Sequence, residues 1–250
     1  MRTTSLFLPG KAPCDPLPSA RDGGVKRVVL TSAFHAVAYG YAGTDHEFND
    51  EDLTVLDGPG APPYSKSKTL AERAAWDFMP AERGGMELAT ILPVAVMGPV
   101  MGSNISGSNR IIQRLLEAEM PGYPNLWIPI VDVRDVASAH ELAMTTPEAA
   151  GQRFLLSIGP AIPINQIGSI LKESLGEVAK KRPDRSIPDL VVRVASIFNK
   201  EFRALHPDLG FARKMTRDNA NRILEWQPRR PREAIVAAAE ILVEKGLVKV

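Results

Sequence analysis

The chain has 250 residues, of which 44% are hydrophobic and 24% are charged, and its formal net charge is +1. This composition is typical of a globular protein and excludes an intrinsically disordered chain. The near-neutral charge excludes a general electrostatic attraction to nucleic acid or to a membrane surface. The single cysteine excludes a disulfide framework and a multi-thiolate metal site, so we expect a cytoplasmic protein with no metal. A membrane span needs ~20 consecutive apolar residues, and the sequence contains no such run.

The first half of the chain contains two segments typical of strands and one typical of a helix. Residues 1–24 are rich in proline and glycine and predict an irregular arm. The β-branched run VKRVVLT at 25–31 predicts a buried parallel strand. A long polar loop follows to about residue 62, and YSKSKTLAERAAWDFM then predicts an amphipathic helix. Its expected apolar face consists of Leu70, Ala71, Ala74, Ala75 and Phe78.

The second half alternates strands with helices. MELATILPVAVMGP predicts a second buried strand that Pro93 ends, and LWIPIVDV and GQRFLLS predict two further strands. Asp132 is placed to cap the helix that follows the strand LWIPIVDV. From about residue 158 the chain is mainly helical. Alternating strands and helices predict an α/β fold with a mostly parallel sheet, and we expect domains at 25–157 and 158–250 after the arm.

Tyr64 and Lys68 are four residues apart on the predicted helix and therefore share one of its faces. Tyrosine is a poor acid at neutral pH because its ordinary pKa is ~10. A lysine one turn away favours the phenolate and is expected to lower that pKa. Such a pair handles the proton in a large class of nicotinamide-dependent enzymes. The pair alone is a weak signal, because a surface helix can carry a tyrosine and a lysine at this spacing by chance.

Four segments occur in the order and spacing of one family: VKRVVLTSAFHAV, YSKSKTLAERAAWDF, ILPVAVMGP and VDVRDVASAHELAM. From about residue 25 onward the chain resembles an extended short-chain dehydrogenase/reductase of the NAD-dependent epimerase/dehydratase superfamily. Within it, the chain is most similar to the dihydroflavonol-reductase-like branch of aldehyde and ketone reductases. The resemblance implies a partial Rossmann-like parallel sheet followed by a small, mainly helical substrate lobe. It also implies an NAD(P)-dependent oxidoreductase that transfers hydride between a secondary alcohol and a ketone or aldehyde.

The resemblance assigns roles to individual residues. Tyr64 is implied to be the general acid that protonates the developing alkoxide. Lys68 is implied to lower the pKa of Tyr64 and to bind the nicotinamide ribose. Pro93 is implied to pack beside the nicotinamide, with Val94 and Val96 offering backbone contacts to its carboxamide.

The family's substrate-orienting hydroxyl is the one departure at this site. The resemblance places it at the end of the strand before the tyrosine helix, in a Thr-Ser-Ser motif that here is Thr31-Ser32-Ala33. The catalytic position falls on Ala33, which has no hydroxyl. Neighbouring side chains on a strand face opposite sides, so Ser32 can act as the catalytic hydroxyl only if the backbone turns there. Two alternatives to a catalytic Ser32 remain open. The Ser32 hydroxyl is purely structural, or His35 donates the hydrogen bond to the substrate carbonyl instead; if it does not, His35 is simply a loop residue.

The sequence contains no Gly-x-x-Gly-x-x-Gly turn, although the family holds the dinucleotide phosphates with this motif. The implied cofactor is NAD(P), and we expect NADPH rather than NADH. Without the glycine-rich turn, this cofactor would be held only at its nicotinamide end. We therefore expect cofactor binding to be weakened or lost, and this chain alone not to turn over.

Two functional hypotheses follow from this departure. The first is a reductase of a small-molecule carbonyl or alcohol whose N-terminal half is absent from this gene product or supplied by another polypeptide. The second is a truncated, non-catalytic remnant or interaction module. The segment 25–31 would then present an unpaired strand edge, which could bind a second copy of the chain or another partner. The substrate itself cannot be inferred from these residues.

Overall fold

The computed structural model describes residues 4–6, 16–41, 45–79, 85–105, 107–205 and 208–249. Its strands are β1 (Thr4–Leu6), β2 (Arg27–Thr31), β3 (Glu47–Phe48), β4 (Glu87–Pro93), β5 (Ala95–Met97), β6 (Trp127–Ile128), β7 (Ile130–Asp132), β8 (Arg153–Leu156), β9 (Ile162–Pro163) and β10 (Lys214–Met215). Its α-helices are α1 (Pro16–Asp22), α2 (Pro63–Phe78), α3 (Asn109–Leu116), α4 (Val133–Thr145), α5 (Ile164–Leu175), α6 (Asp189–Phe198), α7 (Lys200–Leu205), α8 (Asp218–Leu224) and α9 (Pro231–Glu244). None of the helices in these ranges is long and apolar enough to cross a membrane.

The main sheet has four parallel strands in the order β1-β2-β4-β8. Strands β2 and β4 pair along their length, from Arg27 opposite Glu87 to Thr31 opposite Ile91. The three residues between the ends of β2 are all buried, as expected for an inner parallel strand that is covered on both faces. The parallel α/β fold predicted from the sequence is thereby confirmed.

The interpretation of residues 1–24 as an irregular arm is wrong for two segments, 4–6 and 16–22. Strand β1 pairs in parallel with β2, and residues 16–22 form α1. The helix begins at Pro16, which is favoured in a first turn because proline presets φ and no N–H is needed there. Leu17 and Ala20 are buried in a cluster with Val28 and Leu30. A helix of seven residues is too short to show clear periodicity in the sequence, and the apolar contact with β2 is what stabilises it.

Strand β2 is therefore an inner strand, with β1 on one side and β4 on the other. The expected unpaired edge at 25–31 is wrong, because the backbone of β1 occupies it over three residue pairs. A partner that binds by adding a strand to β2 is thus excluded by the observed pairing.

The chain folds into two compact units that alternate along the sequence. The first consists of Met1–Val94, Asp135–Ser157 and Met215–Gln227, and the second of Ala95–Arg134, Ile158–Lys214 and Pro228–Val250. The sequence instead predicts a single boundary near residue 157. The difference arises because β5 does not extend the main sheet but pairs in parallel with β7, from Ala95 opposite Ile130 to Met97 opposite Asp132.

The second unit is mainly helical. Helices α3, α5 and α9 pack with β5 and β7 around one apolar core. Its fully buried members include Ile112, Leu115, Ile167, Leu171, Ile235 and Leu242. The predicted cap is also present, because Asp132 accepts a 2.8 Å hydrogen bond from the backbone N–H of Arg134 in the first turn of α4.

Candidate active site

The first two turns of α2 carry both members of the predicted Tyr–Lys pair. The helix begins at Pro63, directly before Tyr64. The side chain of Tyr64 is 54% exposed, and Lys68, four residues later, is half-buried. The phenol is therefore accessible to a small molecule, and the spacing places the ammonium group on the same face of the helix.

Partial burial changes the pKa values of both groups. It raises the pKa of Tyr64 above its ordinary value. It lowers the pKa of Lys68, whereas the nearby negative charge of Glu72 raises it. The expected lowering of the Tyr64 pKa by Lys68 is not found in this structure, because desolvation of the phenol is the effect that acts there.

The side chain of Ser32 is buried and hydrogen-bonded to a carboxylate. Its Oγ donates to Glu72 Oε2 at 2.6 Å, and Glu72 is only 2% exposed. The other carboxylate oxygen, Oε1, accepts a 2.7 Å bond from Nε of Arg153. Glu72 thus joins α2 to the end of β2 and to the start of β8.

The buried face of α2 differs from the predicted one. The buried residues are Ser65, Thr69, Glu72 and Ala75, and Leu70 is 55% exposed. Apolar spacing gave the wrong face because two of the buried polar groups are paired inside the protein: the Thr69 hydroxyl donates to the carbonyl of Ser65, and Glu72 binds Arg153. Glu72 was missed as a site residue, and its position four residues after Lys68 was the only signal for it in the sequence.

The hydroxyl of Thr31 is also engaged. Its Oγ1 lies 2.7 Å from Nε2 of His140, whose Nδ1 lies 2.8 Å from the carbonyl oxygen of Val136. Because a carbonyl can only accept, Nδ1 carries the proton and Nε2 accepts from Thr31. Burial lowers the pKa of His140, which favours this neutral form.

The segment after β2 brings His35 next to Tyr64. Ala33 is buried, and residues Phe34–Ala36 form a short 3-10 helix. The imidazole of His35 is stacked on Tyr39, with ring centroids 4.8 Å apart and an interplanar angle of 8°. It also meets the ring of Tyr64 edge to face, at 4.9 Å and 81°. The side chain of His35, four residues after the end of β2, thus contacts the phenol ring of Tyr64.

The predicted nicotinamide contacts belong to different units. Pro93 ends β4 opposite Leu156, and Val94 is buried directly after it. The N–H of Val94 donates to the carbonyl of Leu156 at 3.2 Å, so this group is already used by the main sheet. Val96 lies in β5, where it pairs with Val131 in the second unit. The first unit thus contains Tyr64, Lys68, Ser32, Pro93 and Val94, but not Val96.

These residues fit the nicotinamide end of a dinucleotide and not its phosphates. Tyr64 and Lys68 offer a hydroxyl and an ammonium group at the start of α2, which suits a ring and its ribose. In the described ranges no strand passes into a helix through three closely spaced glycines, which is the turn that pyrophosphate requires. The described residues also contain no group of three or more His, Cys, Asp or Glu that could hold a metal ion.

Residues 16–159 match the NAD dependent epimerase/dehydratase family, and they make up more than half of the chain. The chain belongs to this family. The match starts at the first residue of α1, so the Tyr–Lys pair, the end of β2 and the main-sheet strands β2, β4 and β8 all lie inside it. The family assignment made from the sequence segments is confirmed.

Two of the curated relatives that the chain matches are named as reductases. Cinnamoyl-CoA reductase 1 of Oryza sativa subsp. japonica is 32% identical over 166 residues, which are 62% of this chain and 46% of that protein. Ketoreductase azaE of Aspergillus niger is 36% identical over 134 residues, which are 50% of this chain and 39% of that protein. The chain therefore spans about half the length of the curated relatives it matches.

Solved structures show the same fold. Yeast methylglyoxal/isovaleraldehyde reductase Gre2, complexed with NADPH, superposes with a TM-score of 0.70 at 26% identity. That match covers 93% of this chain and 69% of the yeast chain. Vestitone reductase from alfalfa, at 20% identity and a TM-score of 0.67, supports the fold alone. The Rossmann-like α/β architecture is thus confirmed.

Proposed function

We propose that this chain carries the proton-transfer half of an NAD(P)-dependent oxidoreductase that interconverts a ketone with a secondary alcohol or an aldehyde with a primary alcohol. The observation that carries the proposal is the accessible phenol of Tyr64 at the start of α2, with Lys68 one turn further on the same face. The reductase activities in the names of its relatives support a small-molecule carbonyl substrate.

Tyr64 acts as the acid in the reductive direction. A nicotinamide held beside Tyr64 and Lys68 would supply the hydride to the carbonyl carbon. The electron pair of the C=O π bond moves onto oxygen, and that oxygen takes the proton of the Tyr64 hydroxyl. Burial raises the pKa of Tyr64, so the hydroxyl is protonated at neutral pH and gives up its proton only as negative charge develops on the carbonyl oxygen. Lys68, one turn further along α2, is assigned to the ribose of the cofactor.

A non-catalytic remnant is the rival hypothesis. Its interaction surface was expected at the edge of β2, and β1 covers that edge. Membership of the NAD dependent epimerase/dehydratase family and the reductase names of its relatives favour the enzymatic proposal.

The cofactor proposed is NADPH, held at its nicotinamide end. If no residue of this chain binds the phosphates or the adenosine, reduced nicotinamide mononucleotide should bind about as tightly as NADPH. Tryptophan fluorescence titration of both compounds measures this ratio. A dinucleotide that binds more than about 100-fold tighter, equivalent to ~2.7 kcal/mol, would contradict ring-end binding.

The sequence predicts weak cofactor binding and no turnover by this chain alone, so turnover is tested with isovaleraldehyde and NADPH at millimolar concentration by following absorbance of the reduced cofactor. Any turnover that is measured should depend on Tyr64. We expect Tyr64→Phe to lower kcat by ~10²–10⁴-fold, the usual contribution of a positioned acid. Tyr41→Phe is the control, because the Tyr41 hydroxyl donates to the carbonyl of Leu53. No binding of either nicotinamide compound at millimolar concentration would overturn the proposal and favour the remnant.

A further inference from the structure

We propose that His35, and not Ser32, orients the substrate carbonyl beside Tyr64. This inference rests on the proposed function, since it names the hydrogen-bond donor of the same site. It also accounts for a chain in which the expected catalytic position is occupied by Ala33.

The hydroxyl groups at the end of β2 are already used inside the fold. Ser32 is buried and donates to Glu72 at 2.6 Å, and Thr31 is bonded to His140 at 2.7 Å. Turning Ser32 toward a substrate would remove a donor from a carboxylate that is 2% exposed. Loss of a hydrogen bond to a buried charge is strongly unfavourable, so Ser32 holds Glu72 and does not bind substrate.

His35 is held in a fixed position by its neighbours. Its ring is stacked on Tyr39, which is buried, and its backbone carbonyl accepts a 2.8 Å bond from the Thr54 hydroxyl. The edge-to-face contact with Tyr64, at 4.9 Å between centroids, places an imidazole beside the phenol that donates the proton. On this proposal, the carbonyl oxygen that accepts the Tyr64 hydroxyl is also the acceptor of the His35 N–H.

Imidazole suits this task because it carries an N–H donor in both its neutral and its protonated form. As hydride reaches the carbonyl carbon, negative charge develops on the oxygen and strengthens the hydrogen bond from His35. The proton that is transferred comes from Tyr64, and His35 keeps its own. Removal of one such donor costs ~10²–10³-fold in kcat.

The first experiment compares His35→Ala, His35→Gln and Ser32→Ala in isovaleraldehyde reduction with NADPH. We expect His35→Ala to lower kcat by ~10²-fold. His35→Gln should recover at least part of the loss through its amide N–H. In Ser32→Ala we expect the main loss in the urea midpoint of unfolding, because Glu72 loses a donor. A kcat loss in Ser32→Ala as large as that in Tyr64→Phe, with His35→Ala fully active, would overturn the proposal.

The second experiment does not depend on turnover. Protein labelled with ¹⁵N-histidine is titrated with isovaleraldehyde, and the His35 imidazole signal is assigned by its absence in His35→Gln. We expect this signal to shift while that of His140 does not, and Ser32→Ala should retain the shift. A His35 signal that is unmoved by the aldehyde contradicts the role of His35. A shifted signal in a protein without reductase activity supports the role of His35 and instead contradicts the proposed function.

Discussion

The carboxylate of Glu72 accepts a 2.7 Å hydrogen bond from the guanidinium of Arg153, and the two residues are 2% and 14% exposed. The same carboxylate holds Ser32, and the guanidinium also donates to the carbonyls of Asp50 and Asp52. The Glu72–Arg153 ion pair thus connects α2 to β2 and β8 of the main sheet and to the loop that precedes α2.

Replacement of Glu72 by Gln is expected to lower the free energy of unfolding by ~3–5 kcal/mol. The reason is that Arg153 would keep a charge in the interior without its counter-ion. Urea unfolding measures the loss. The matched control is Glu173→Gln, because Glu173 pairs with Arg232 at a similar distance of 2.8 Å but on the surface, where both side chains are more than half exposed. There we expect less than about 1 kcal/mol, and equal losses in the two variants would contradict the assignment.

His140 should make stability depend on pH. Because burial lowers its pKa in the fold, the neutral form is the one that the fold favours. The contribution of His140 to the free energy of unfolding is complete above its pKa in the unfolded chain, ~6.5. It declines as the pH falls below that value toward the lower pKa of His140 in the folded protein. We expect wild-type protein to lose its stability advantage over His140→Gln between about pH 7.5 and pH 5, as judged by urea unfolding at both values. A constant difference would show that His140 is not buried as a neutral group.

Gly58 is required by a close approach of two loop segments before α2. A Cβ at this position would lie 2.6 Å from the Cα of Gly40 and overlap its carbonyl oxygen. Gly58→Ala should therefore cost at least ~1–3 kcal/mol, the range for overpacking of a dense interior. Gly24→Ala is the control, because Gly24 has a φ of +68° but open space around it. It should lose about 1 kcal/mol from backbone strain alone, and thermal unfolding that ranks the two variants in the reverse order would refute the close contact.

Trp226 holds the segment 215–227 against the rest of the first unit. The indole is 2% exposed, and its Nε1 donates a 2.9 Å bond to the carbonyl of Asp135. Trp226→Phe should destabilise the protein by ~1–3 kcal/mol, because a buried carbonyl loses its donor. It should also remove the blue-shifted part of the fluorescence spectrum. The comparison is Trp127→Phe, at a position that is 36% exposed, for which we expect a smaller change in both measurements.

The parallel sheet could be predicted because its strands are continuous apolar runs, as the three fully buried residues inside β2 illustrate. The Tyr–Lys pair and the capping role of Asp132 could also be predicted, because each depends on residues that are close together in sequence. Such local patterns depend on the geometry of one helix or strand.

The polar interior of the site could not be predicted in the same way. Arg153 is 81 residues from Glu72, and nothing near either residue in the sequence indicates the other. For the same reason the exposed Leu70 was assigned to the buried face of α2. The role of Ser32 as a donor to Glu72 also depends on a contact 40 residues away. Long-range pairing of charged and polar groups is a property of the folded chain and not of a sequence window.

The two units alternate in six segments, so the backbone passes from one to the other five times. Neither unit can therefore be produced as one continuous fragment, and a protease that cuts a single crossing would leave them covalently joined by four others. A chain that ended at residue 214 would deprive the first unit of Trp226 and the second of α9 in one step. Damage near the C-terminus is thus expected to weaken both units together.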